Sequence, residues 1–130
     1  MPGRNGRAVL RQLITAYQEE AQLYAALEAD ATEQRHLLLN GRDPGRLGEL
    51  AEHQRRLAED IGRIETAIAP LRTYWEQMRD RSHGSGVREL ARQLDDLLDA
   101  LTERIHVIVE IERANSDALL AAVTPPGIWP

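Results

Sequence analysis

"LGELAEHQRRLAEDIGRIETAIAPLRTYWEQM", residues 47–78, decides how this chain is read. Leu47, Leu50, Gln54, Leu57, Ile61, Ile64, Ile68, Leu71, Trp75 and Met78 recur at alternating steps of three and four, and only Gln54 among them is polar. Side chains at those steps share one face of an α-helix, so the run predicts a helix with a single apolar edge. Alternation this regular is coiled-coil packing, each residue a knob between residues of a facing helix. The edge therefore needs partner helices to cover it.

Pro70 falls inside the run, where its ring removes the bond to the Thr66 carbonyl and costs about 3 kcal/mol in an unadapted helix. The apolar edge stays in phase across it. The expectation is one helix kinked at Pro70, not two joined by a loop. Asp43 offers an N-cap oxygen and Pro44 a pre-set φ for the first turn, so this helix should span 44–81.

Upstream, Leu10, Leu13, Ile14, Tyr17, Ala21, Tyr24, Leu27, Ala31 and Leu38 mark a helix over 6–39. It should stop at Asn40-Gly41, residues that tolerate a left-handed C-cap. Downstream, Ser82-His83-Gly84-Ser85-Gly86 breaks the pattern. A third helix over 87–123 follows, with Val87, Leu90, Leu94, Leu97, Leu98, Leu101, Ile105, Ile108, Ile111, Asn115, Leu119 and Ala122 in its stripe, and Thr124-Pro125-Pro126-Gly127 ends it. Residues 124–130 are read as a short tail carrying Trp129. Three rods of roughly 50 Å, at ~1.5 Å per residue, predict an all-α fold, an antiparallel up-down-up bundle in a single domain over 1–130.

The composition narrows the function. The formal charge is −5, from 16 arginines and no lysine against 21 acidic residues, which disfavours a nucleic-acid partner. Cysteine is absent, removing thiol nucleophiles and cysteine metal sites. No signal-peptide core is found in residues 1–9, and no run reaches the ~18 apolar residues of a membrane span. A cytoplasmic protein is expected.

Chemistry finds few candidates. Glu33/His36 and Glu103/His106 repeat the Glu-x-x-His motif of di-iron bundles. Both glutamates, however, sit ~200° from their apolar stripes, and parallel first and third helices would offset them by ~13 Å. No metal, cofactor or enzymatic activity is therefore expected. Gly84-Ser85-Gly86, with Arg79, Arg81 and Arg88 nearby, is read as a turn, since it lacks a Walker pattern and a preceding strand. Arg4, Arg7 and Arg11 are read as a polar terminus.

The segment Ile105-His106-Val107-Ile108-Val109-Glu110-Ile111 is more telling, because its apolar residues span roughly 200° of helix surface, not the ~100° of an ordinary buried stripe. Either the third helix touches two neighbours, or it leaves a groove for an amphipathic segment of another protein. Asn115, in "IERANSDALL" (111–120), stands where an apolar residue is due. A lone seam asparagine commonly sets register or oligomeric state.

Four stretches, "EQRHLLL" (33–39), "NGRDPGRL" (40–47), "LAEHQRRLAEDIGRIE" (50–65) and "IERANSDALL", together resemble the FlgN-like flagellar export chaperones over about residues 9–122. The chain departs from that family in lacking the lysines common in its second helix. The resemblance implies a cytoplasmic, non-enzymatic chaperone that binds helical C-terminal regions of hook-filament junction proteins before type III export. A contact with the flagellar export gate and a homodimer are also within its scope. By matching position it places the partner surface at Ile108, Ile111, Asn115, Leu119 and Leu120. The alternative is a structural coiled-coil adaptor without a chaperone role.

Overall fold

The computed structural model describes residues 5–41, 43–81 and 83–123, with backbone only for 122 and 123. Three helices fill almost all of it: α1 Gly6–Asn40, α2 Pro44–Met78 and α3 Ser85–Val123. The expected tail, 124–130, lies outside the described residues, as do Arg4 and Ser82.

The starts follow from local chemistry. Asn5 caps α1, its Oδ1 accepting from the Arg7 N–H at 2.8 Å. Asp43 caps α2 in the same manner, accepting from the Arg46 N–H at 3.1 Å, with Pro44 in the first turn. α3 begins at Ser85, two residues before the expected Val87, because nothing in Ser85-Gly86 prevents the Arg88 N–H from reaching the Gly84 carbonyl at 3.1 Å.

The ends differ more from expectation. α1 closes through a bond from the Gly41 N–H to the Leu37 carbonyl, but Gly41 has φ 166° and ψ 128°. This is extended backbone, not the left-handed cap expected from an Asn-Gly pair, so the chain leaves the helix straight toward the Asp43 cap. α2 ends at Met78, three residues short of the expected Arg81. His83 explains the early stop: its Nε2–H donates to the Met78 carbonyl at 2.6 Å, and its ring packs 5.5 Å from that of Trp75. The Arg81 N–H reaches the same carbonyl at 3.1 Å, so a tighter turn and a side chain together close the helix.

As expected, α2 runs unbroken through Pro70. Thr66, whose carbonyl loses its partner there, is exposed, so water can satisfy the freed oxygen.

Side-chain pairs give the topology. Glu28 meets Arg104 and Ala31 meets Asn115, so α1 and α3 run parallel. Glu33 meets Arg46 and Asp30 meets His53, so α2 runs opposite to α1. Among the described residues no Cα of α2 comes within 8 Å of a Cα of α3, whereas both helices approach α1 that closely. α1 is the spine of the bundle, and the other two helices bury their edges mainly on it.

The apolar core gathers at one pole, where α1 begins, α2 ends and α3 begins. Leu10, Leu13, Tyr17, Ile68, Trp75, Leu94 and Leu101 form it. Among the described residues, Leu94, Leu101, Ile108 and Asn115 are the buried positions of α3, spaced by seven, the period of a coiled-coil seam. Toward the other pole the packing becomes polar, and the candidate surface lies there.

Candidate partner-binding surface

An amide layer crosses the bundle near the α1–α2 turn. Asn115 Nδ2 donates to the Ala31 carbonyl at 3.0 Å and approaches Gln34 Oε1 at 3.4 Å. Gln54 Nε2 donates to the same Gln34 oxygen at 3.3 Å. The two polar interruptions of the seams in α2 and α3 are thus joined through α1. Asn115 Oδ1 has no hydrogen-bond partner, so the layer is only partly satisfied.

Beside it, an ion pair and a histidine–carboxylate contact fasten α2 to α1. Arg46 grips Glu33 with two parallel bonds, Nε to Oε2 at 2.5 Å and Nη2 to Oε1 at 2.7 Å. The guanidinium holds the Glu33 carboxyl below its ordinary range. His53 pairs with Asp30 one turn further along. Glu33 was expected to be solvated; it is half-buried and belongs to this clamp. Its companion His36 bonds Asn40 at 3.1 Å, while Glu103 and His106 lie exposed on α3. The two Glu-x-x-His motifs are not brought together.

The five residues placed by resemblance on a partner surface do not share one. Ile108 and Asn115 are only 5% and 2% exposed and face α1. Ile111 is half-buried. Leu119 and Leu120 are open, at 40% and 63%. The reason is the seven-residue period, which takes 108 and 115 into the seam and leaves 120, ~120° around the helix from 108, outside it.

What stays apolar and exposed is a different set. Val107 and Val109 stand ~100° to either side of Ile108, and neither is covered. In the Ile105–Ile111 segment Ile108 is buried, while Val107 and Val109 form open flanks. Val109 and Leu120 are eleven residues apart and therefore return to the same face within ~20°. Leu39, exposed at the end of α1, lies at the pole where α3 also ends. Sequence reasoning noted Val109 only as part of the broad apolar segment, and it passed over Leu39, which breaks no pattern.

A second feature missed from sequence is polar and buried. Glu20 occupies the seam between Leu13 and Leu27, at the same seven-residue spacing, and is 2% exposed. Burial, reinforced by the nearby Glu65 and opposed by Arg72, pushes its carboxyl up to about 7. Arg72 Nη1 lies 3.3 Å from Glu65 Oε2, and the guanidinium also hydrogen-bonds the Tyr17 hydroxyl. Glu20 Oε2 has no hydrogen-bond partner. A carboxyl so enclosed meets no substrate, so its consequence is for stability, not for catalysis. The signal was available: a glutamate at a heptad position of an otherwise apolar edge.

Comparison with known proteins adds no relative: no family model matches the chain, and neither a curated protein nor a solved structure is similar to it. No described helix is long and apolar enough to cross a membrane. The fold and surface define a three-helix bundle with uncovered apolar side chains on its third helix.

Proposed function

We propose that this protein is a cytoplasmic, non-enzymatic chaperone of the FlgN-like kind, which shelters a helical C-terminal segment of a hook-filament junction protein before type III flagellar export. The observation that carries this reading is the uncovered apolar surface along the later part of α3, where Val109 and Leu120 share a face and Leu119 adjoins them. An amphipathic partner helix anchored at such steps would bury them by the helix-in-groove mode. Each Å² of apolar area removed from water contributes ~25 cal/mol before ordering costs. The sequence resemblance supplies the class of cargo. The contact is re-centred accordingly: Leu119, Leu120 and Val109 touch the partner, while Ile108 and Asn115 support them from within.

The same open face favours a second reading, a coiled-coil adaptor that pairs α3 with a second copy of this chain. Sedimentation with and without the C-terminal segment of a junction protein separates the two. A mixed complex that dissolves in Leu120→Asp supports the chaperone. Self-association that ignores the added segment supports the adaptor.

A further inference from the structure

The arginines divide by position. Eight have a carboxylate partner, spread over α2 and α3. Among the described residues, the arginines without an ion pair are Arg7, Arg11, Arg35, Arg79, Arg81 and Arg88. All but Arg35 lie at the pole where α1 begins, α2 ends and α3 begins. An acidic chain of net charge −5 thus keeps a group of arginines outside any ion pair at one end.

Three of them line one cleft. Arg79, Arg81 and Arg88 surround an opening of about 400 Å³ whose walls also include His83, Val87 and Ala91. Arg92 and Asp95 complete the rim; Arg92 is neutralised by Glu89 at 2.6 Å, and Asp95 is the one carboxylate in the lining. Arg7 reaches the same pole from α1, its guanidinium lying over Gly86 in the space a side chain would take. This crowds positive charge against the N-terminus of α3, itself a site of partial positive charge. Asp95 offsets only part of the charge gathered there, and the remaining excess of like charge raises the energy of the free protein, which an anion relieves.

We infer that this cleft is a docking site for an acidic peptide segment of a partner protein, distinct from the apolar face at the opposite pole. The lining selects that chemistry over a bare anion: guanidiniums on the rim suit carboxylates, while Val87 and Ala91 offer apolar ground to an aliphatic side chain between them. The site does not depend on the chaperone reading, since it involves none of the same residues.

The test is fluorescence anisotropy with a fluorescein-labelled peptide of alternating glutamates and leucines, titrated with the full chain at low and at moderate salt. Micromolar binding that weakens with salt is expected, with a loss of about tenfold or more in the combined variant Arg79→Ser, Arg81→Ser, Arg88→Ser. Arg35→Ser should leave it unchanged. Circular dichroism checks the fold; if the combined variant loses helicity, Arg88→Glu alone decides by the same loss. Equal binding by the arginine variants, or by a peptide with lysines in place of glutamates, would overturn the inference. So would complete displacement by low-millimolar inorganic phosphate, which marks a simple anion site. Arginine-dependent preference for phosphatidylglycerol vesicles over the peptide would equally overturn it, in favour of a lipid surface.

Discussion

Asn115 of α3 and Ala31 of α1 are joined by a side-chain to main-chain hydrogen bond of 3.0 Å, a buried polar tie between these parallel helices near the pole where both end. It fixes which residue of α3 stands beside which residue of α1. A one-turn slip would carry the amide past the Ala31 carbonyl, which α1 already satisfies from within, and leave the Asn115 amide unpaired in a closed seam. Asn115→Ala should therefore cost about 1–3 kcal/mol, read from urea unfolding. Asn115→Leu should do the opposite, raising the midpoint while relaxing register, visible as mixed oligomeric species in light scattering. A Leu variant that stays as homogeneous as the parent would show that the amide sets nothing.

Glu20 makes stability depend on pH in an unusual direction. Its folded value is about 7, against 4.5 when free, so the folded state binds the extra proton between these limits. The stability belonging to protonated Glu20 is complete below pH 4.5, declines as pH rises through the folded value and is gone above it. Glu20→Gln mimics the protonated form. Its melting temperature should match the parent near pH 4.5 and exceed it by several degrees at pH 8. A constant difference across that range would count against this assignment.

The Glu33–Arg46 clamp has the contrary dependence. The carboxyl is held below 4.5, so the pair stabilises at neutral pH and its contribution disappears as acid titrates it. Both side chains are about two-fifths exposed, so the effect is small and weakens with salt. Glu33→Gln should lower the melting temperature slightly at pH 7 in low salt and not at all in acid. A loss that persists in high salt would point to packing instead of charge.

Folding and binding separate along α3. Ile108→Asp places a charge in the seam against α1 and should cost several kcal/mol with loss of helicity. Leu120→Asp changes a side chain that is 63% exposed, so circular dichroism and melting should stay near those of the parent. Only its binding to a partner helix should fall. Unfolding of the Leu120 variant would place that residue in the core.

Pro70 is exposed and interior to α2, so it removes a backbone bond without supplying core contact. Pro70→Ala restores that bond and should stabilise the protein by up to about 3 kcal/mol, measured in urea. An unchanged midpoint would mean that the helix has fully adapted to the ring.

How far the chain could be read in advance depended on the kind of interaction. The starts of α1 and α2, the unbroken course of α2 through Pro70 and the seam itself rest on residues close in sequence, and these were legible. The apolar period and the caps alone determine three long helices, because hydrogen bonds from i to i−4 and side-chain faces are local properties. Local pattern could not reveal that His83 would end α2, that Glu33 would meet Arg46, or that Glu65 and Arg72 would be the neighbours of Glu20. It could not say which side of the broad apolar segment of α3 would stay uncovered, and it left open whether Ile108, which the resemblance placed on a partner surface with Asn115, was core or groove; both are buried against α1. Those outcomes depend on how one rod is set against another, where a shift of one turn exchanges every neighbour. Only packing around α1 makes that choice, since burial and pairing are summed over the whole interface before any single side chain is placed.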